Sequence, residues 1–229
     1  MIRYSYILFD LDETLLDFKR SEQYALRGAV RDFGMECSPE IEDRYSEVNK
    51  SLWLRFEKGE ISREELKRMR FEITFGDVDG PAMNERYMYH LSQCGFYLPG
   101  AREFLEKLSR QDLRLIVITN GLAYTQNGRI KASGLLDYVE KVFISEEMGR
   151  VKPDPDYADM VISSIGDPDR SRYLVVGDSI SSDIMLAENA GMDCCLFAAE
   201  GKPFPRGLEM HDITYKANGY NELMKVICP

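Results

Sequence analysis

Four groups of polar residues carry the types and spacing that chemistry on an anion requires. Asp10 and Asp12 stand two apart after the apolar run Tyr6-Ile7-Leu8, Thr119-Asn120-Gly121 closes a second apolar run, Lys152 precedes Pro153, and Asp178 is followed by Asp183. Strand geometry would point Asp10 and Asp12 the same way, and two such carboxylates repel unless a cation or a proton holds them. A divalent metal is the simplest partner. An all-oxygen set suits Mg²⁺, which takes one or two carboxylates with water and a substrate phosphate. Carboxylates, small donors opening a helix and one ammonium together form an inventory for phosphoryl transfer, where positioning and electrostatics do most of the work. Such chemistry has no need of histidine. His90 and His211, neither at a strand end, read as helix-face or surface residues.

These groups meet only if regular elements bring them to one edge. Tyr6-Ile7-Leu8 reads as a buried strand. From Pro99-Gly100 onward the chain alternates: helix 101–109, strand 113–119, helix 123–133, strand 142–145, helix 157–165, strand 173–176, helix 180–189, strand 194–197, a Gly- and Pro-rich loop, a short strand 213–215 and a helix from Asn221. This alternation predicts parallel βαβ units with helices on both faces of the sheet. Ligands in such folds bind outside the carboxyl ends of the strands, where the polar groups fall.

Residues 18–95 read differently, as helix throughout. Leu26, Ala29, Val30 and Phe33 recur at helical spacing, as do Ile41, Tyr45, Val48, Leu52 and Phe56. Ser62 and Glu65 form a capping box before a third helix that buries Leu66, Met69 and Ile73, and Pro81 opens a fourth carrying Tyr87, Met88 and Leu91. The expected fold is α/β, a Rossmann-like parallel-sheet core over 1–16 and 97–229 with a four-helix cap domain, 17–96, inserted into it.

Composition narrows the partners. With 29 basic against 39 acidic residues the net charge is −10 and the pI about 4.9, the wrong sign for tracking a nucleic acid polymer. An anionic substrate must therefore be met by local positive charge. The longest apolar stretches fall short of the ~20 residues of a membrane span, and the N-terminus lacks the succession of a signal peptide, so no membrane role and a cytoplasmic location are expected. Five cysteines, Cys37, Cys94, Cys194, Cys195 and Cys228, show no metal-ligand spacing. They read as reduced, packed thiols.

Asp10-Leu11-Asp12-Glu13-Thr14, Thr119-Asn120-Gly121, Val151-Lys152-Pro153 and Gly177-Asp178-Ser179 with Asp183 resemble, in order, the four motifs of the haloacid dehalogenase (HAD) superfamily of hydrolases. The resemblance runs the whole length, including a helical cap inserted just after the first motif. It implies that Asp10 is the nucleophile of an aspartyl-phosphate pathway and that Asp12 protonates the leaving alcohol and then deprotonates water. Thr119, Asn120 and the Gly121 N–H would bind phosphate at a helix start, and Lys152 would neutralise the nucleophile and the transferring group. Asp10, Asp178 and the Asp12 carbonyl would hold Mg²⁺, with Asp183 as an outer-shell ligand orienting water or Lys152. Singly, each residue has a plainer reading: a turn cap, an Asn-Gly turn, a solvated lysine, a carboxylate at a helix start. Their order at four strand ends favours the joint one.

Within the superfamily, Val48-Asn49-Lys50-Ser51-Leu52-Trp53, Arg70-Phe71-Glu72, Asn120-Gly121 and Ile144-Ser145-Glu146-Glu147-Met148-Gly149 resemble the pyrimidine 5′-nucleotidase branch. That resemblance implies a Mg²⁺-dependent phosphatase for small phosphate esters, pyrimidine nucleoside monophosphates first. Specificity should lie in the cap, where Asn49, Trp53 and Phe56 share a face and Phe18 sits at the hinge, although the favoured reading of Trp53 is packing within the bundle. Other readings are a phosphoglycolate or sugar-phosphate phosphatase and a phosphomutase. A phosphoacceptor module has no use for Asp12 or for the insertion, and an idle binding protein would not fill every catalytic position.

Overall fold

Four consecutive buried residues, Tyr6–Phe9, form β1, and the rest of the sheet is laid out around it. The computed structural model describes residues 3–229. After β1 come α1 (Phe18–Asp32), α2 (Pro39–Glu57), α3 (Arg63–Phe75), α4 (Gly80–Ser92) and α5 (Ala101–Leu108). Then follow β2 (Arg114–Thr119), α6 (Ala123–Ser133), β3 (Lys141–Ile144), α7 (Ser145–Met148), α8 (Pro155–Ile165), β4 (Tyr173–Gly177), α9 (Met185–Ala190), β5 (Asp193–Ala198), β6 (Tyr215–Asn218) and α10 (Tyr220–Ile227). The chain divides into two units. One holds the described residues up to Asp17 with Phe96–Ala123 and Ser133–Pro229, and the other holds Phe18–Gly95 with Tyr124–Ala132.

In the first unit the strands run parallel in the order β3-β2-β1-β4-β5-β6. The chain lays strands outward on one side of β1, then crosses back and builds on the other. Such a reversal of strand order opens a crevice at the carboxyl ends, here between β1 and β4. Phe9 stands level with Val117 of β2 and Val176 of β4, so the residues just beyond these three strands share one edge. Both faces are covered: on one, Ile116, Ile118, Val175, Cys194 and Leu196 pack with Tyr157, Val161 and Leu186 from the helices, and on the other Phe9 meets Phe104 of α5 and Phe197 meets Tyr220 of α10. Burying each such side chain contributes roughly 1.5–3 kcal/mol.

The helical unit has its own core, in which Leu26, Ala29 and Val30 of α1 meet Tyr45, Phe71, Met83, Tyr87 and Leu91. Gly28 allows α1 to approach α4, since a Cβ there would lie 2.6 Å from the His90 ring. The four inserted helices agree with the periodicity reading and the Ser62–Glu65 capping box is present, but α3 is rotated. Its buried residues are Leu66, Arg70, Phe71 and Thr74, and Ile73 is exposed, as is Phe33. A pattern based on apolarity turns Arg70 outward; the fold buries it by supplying partners.

Other boundaries move as well. The last strand is 215–218 rather than 213–215. The helix expected from Ile180 begins as a π-turn over Ile180–Ile184, because Asp183 folds back to accept the Ser179 N–H at 3.1 Å. Among the described residues no helix is long and apolar enough to cross a membrane.

Candidate active site

Three carboxylates from two strand ends converge: an oxygen from each of Asp10, Asp178 and Asp183 lies within 4.8 Å of the others. Asp10 follows β1 directly and its N–H donates to Val176 O at 2.8 Å, which carries the β1–β4 pairing one residue past the strand. Gly177 ends β4 without a side chain, and a Cβ there would stand 2.2 Å from the Asp183 carboxylate. Only glycine leaves room for Asp183 to reach this edge.

Lys152 ties the cluster together. Its ammonium donates to Asp10 Oδ1 at 2.6 Å, to Asp183 Oδ1 at 2.6 Å and to Ile118 O at 3.2 Å. An ammonium has three protons, so each has an acceptor. Lys152 is 1 % exposed and Asp183 fully buried. Burial disfavours the Lys152 charge, but Asp10 and Asp183 outweigh it and hold the group protonated. Asp183 accepts from Lys152 with one oxygen and from Ser179 with the other. It therefore acts on Lys152 rather than presenting a bare oxygen.

The remaining electrostatics show surplus negative charge. Burial, followed by the neighbouring charges of Asp10, Asp183 and Glu13, pushes Asp178 well above the usual carboxylate range. Burial also raises Asp10 to about 7, with Lys152 opposing and Asp183 and Asp12 adding to the rise. Three acids against one ammonium form a hard, oxygen-only donor set, the kind that holds a divalent cation of the Mg²⁺ type.

The acidic turn is more structured than a strand continuation. β1 stops at Phe9, so strand alternation does not extend through Asp10 and Asp12, contrary to the expected shared direction. Asp12 instead bridges to Leu16, and Leu16 to Tyr97. The Asp12 carboxylate is outside the three-acid group. Glu13 takes a left-handed conformation, φ 58°, which costs a non-glycine residue roughly 1–2 kcal/mol. The turn is held by Glu13 N–H to Leu16 O at 2.9 Å, by Lys202 on Glu13 at 3.2 Å and by the Tyr220 hydroxyl on Thr14 O at 2.8 Å.

The loop after β2 also differs from its expected role. The Asn120 side chain does not stand ready for phosphate: its Nδ2 donates to Lys152 O at 2.9 Å and its Oδ1 accepts from Lys152 N at 2.8 Å. This side-chain amide behaves like a neighbouring strand and fixes the lysine backbone. Asn189 donates to Pro153 O at 3.0 Å from the other side. The Gly121 N–H is given to Thr119 Oγ1 at 3.1 Å, so in this state the phosphate donor expected at Gly121 is engaged within the turn. Glu146, which the sequence offers only as part of a motif, accepts the Ala123 N–H at 2.6 Å.

The proposed base-contacting residues lie in the helical unit. Asn49 is 2 % exposed; it donates to Glu22 at 2.8 Å and accepts from Arg70. Trp53 packs edge-to-face on Phe56, ring centres 5.7 Å apart, against a core of Leu52, Ile61 and Leu66. Packing within the bundle is thus what these three do here, and Phe18 lies under the Arg129 guanidinium.

A parallel sheet in the order 3-2-1-4-5-6, with acids and a buried lysine at its reversal point, defines an enzyme of the α/β class. The chain belongs to the haloacid dehalogenase-like hydrolases, whose family model matches residues 7–197. It is 35% identical to the pyrimidine 5′-nucleotidase PynA of Streptococcus pneumoniae, covering 96% of this chain and 94% of that one. It is 32% identical to the pyrimidine 5′-nucleotidase YjjG of Escherichia coli, covering 99% of each. The crystal structure of the HAD-hydrolase YfnB of Bacillus subtilis bound to magnesium superposes with a TM-score of 0.91 at 30% identity, over 99% of this chain and 100% of that one.

Proposed function

We propose that the protein is a Mg²⁺-dependent phosphatase that hydrolyses small phosphomonoesters through an aspartyl-phosphate on Asp10, with pyrimidine nucleoside 5′-monophosphates as leading substrates. The observation that carries this reading is the Lys152 ammonium shared between Asp10 Oδ1 and Asp183 Oδ1. With Oδ1 held, Asp10 has Oδ2 left to attack phosphorus. As that bond forms, the ester P–O bond breaks and its electron pair goes to the leaving oxygen, which takes the Asp12 proton. Asp12, now a base, deprotonates water; the hydroxide attacks phosphorus, the bond to Asp10 breaks and inorganic phosphate leaves. Lys152 keeps one positive charge beside the reacting oxygen in both halves. Bound Mg²⁺, held by Asp10, Asp178 and the Asp12 carbonyl, would neutralise charge on the phosphoryl oxygens.

Similarity to the two named pyrimidine 5′-nucleotidases over nearly the full length supports the substrate reading. The donors of the sheet unit serve any phosphate ester, so we assign substrate choice to the helical unit, the counterpart of the expected cap. Phosphate release across nucleotides differing in base and sugar, with phosphoglycolate and sugar phosphates alongside, tests both parts. The pyrimidine monophosphates should give the highest kcat/KM. A sugar phosphate preferred over every nucleotide would overturn the substrate reading, and isomerisation with little phosphate released would replace the phosphatase by a mutase.

A further inference from the structure

The five residues from Thr119 to Ala123 link β2 to α6, and their direction depends on partners drawn from elsewhere. Asn120 is bound to the Lys152 backbone on one side. On the other, Ala123 N–H donates to Glu146 Oε2 at 2.6 Å, a charge-assisted contact. Glu146 is well placed for this because β3 ends at Ile144 and α7 starts at once, turning the half-buried Glu146 toward the neighbouring loop. Ala123 is also the last residue of its segment in the sheet unit; Tyr124–Ala132 group with the helical unit. A helix of eleven residues thus starts on an internal carboxylate.

The arrangement carries an electrostatic cost. A carboxylate at the start of α6 occupies a donor that favours anions, and it adds negative charge near a site that has to receive a phosphate dianion. A neutral acceptor would hold the same N–H at lower cost to phosphate binding. We propose that Glu146 is a positioning residue for the phosphate-binding loop: by anchoring Ala123 it sets the direction of the 119–121 turn, and its charge lowers phosphate affinity. The proposal rests on the phosphatase reading for its kinetic consequence but not for its structural one.

Two substitutions separate anchor from charge. Glu146→Gln keeps an oxygen acceptor and removes the charge, so KM should stay level or fall while kcat is retained. Glu146→Ala removes both, and kcat/KM should fall by about 10–100-fold, mainly through KM, as expected for a loop displaced by ~1 Å. Hydrogen exchange at the Ala123 amide should speed up in the Ala variant and stay slow in the Gln variant, with melting temperatures of both close to the parent. Equal kinetics for the two variants, or unchanged exchange at Ala123 in the Ala variant, would overturn the proposal. Inorganic phosphate binding by calorimetry is measured in parallel. If the parent protein turns over no ester, the phosphatase reading fails, and the affinity order Gln variant ≥ parent > Ala variant still decides the role of Glu146.

Discussion

Each unit of the molecule buries a polar cluster, and the two clusters are built on opposite principles. In the helical unit Glu22, Asn49, Arg70 and Asn84 are all at most 7 % exposed. Asn49 donates to Glu22, Arg70 donates to Asn49 and Asn84, and the guanidinium lies 4.6 Å from the Tyr87 ring centre. One carboxylate faces one guanidinium through neutral amides, so the charges balance within the cluster. In the sheet unit Asp10, Asp178 and Asp183 cluster around a single ammonium, and burial, reinforced for Asp10 and Asp178 by the neighbouring carboxylates, raises the pKa values of those two. The balanced set links α1, α2, α3 and α4 without a net charge. An unbalanced one, maintained by backbone clamps such as Asn120, is paid for in stability, and under the proposed function a cation and an anionic substrate would complete it.

That contrast can be broken most directly at Asp10. Asp10→Asn keeps the shape and removes the nucleophile, and phosphate release should fall by about 10⁴-fold or more with circular dichroism unchanged. Activity near the parent level would end the covalent mechanism. Chelation probes the surplus from the other direction. Excess chelator should stop turnover, and adding Mg²⁺ at about 100 times its Kd should stabilise the parent by roughly 2.7 kcal/mol. Asp178→Asn should lose most of that stabilisation. A melting temperature indifferent to Mg²⁺ in the parent would mean that Asp10 and Asp178 do not hold the ion.

Lys152→Met should impair both properties. It removes the shared ammonium and leaves Asp10 and Asp183 buried without their partner, a loss of about 3–5 kcal/mol at neutral pH. Protonating the orphaned acids relieves that loss, so the variant's deficit in urea midpoint should narrow at mildly acidic pH. A deficit that widens there would show that the carboxylates are not the cause.

How much of this was legible beforehand follows from what each signal depends on. Asp10, Lys152, Asp178 and Asp183 follow, directly or within one short connection, apolar runs whose strand character is local, so their meeting at one edge could be read from order alone. Asn120 could be located but not understood, because its partner is a backbone 32 residues away and no side-chain pattern encodes that. Glu146 was invisible as an anchor for the same reason. In the helical unit an apolar periodicity misplaces Arg70 of α3, since it treats every charge as solvated. The exception required the amides of Asn49 and Asn84 from two other helices. Gly177 would have been recognisable only by knowing that Asp183 turns back over it.

The balanced cluster should respond differently from the catalytic one. Arg70→Met leaves the carbonyl oxygens of Asn49 and Asn84 without a donor, each costing about 1–3 kcal/mol. The melting temperature should fall while kcat per folded molecule stays close to the parent. A kcat loss as large as that of Lys152→Met would erase the distinction between the two clusters.

The smallest effect belongs to the rim of the helical unit, where Asp32 accepts from Arg86 at 2.6 Å and faces His90 at 2.9 Å. Hydrogen bonds from His90 and Arg86 lower the Asp32 pKa below its ordinary 3.8. A carboxylate depressed in the folded state contributes stability above its unfolded pKa and loses that contribution as pH falls through the folded value. Asp32→Asn should therefore lower the urea midpoint slightly at pH 7, with the difference shrinking to nothing in acid below the ordinary aspartate range. Because the pair is solvent-screened the effect is small, and salt should reduce it further. A difference that persists undiminished in acid would assign the contact to packing of His90 against Gly28 rather than to charge.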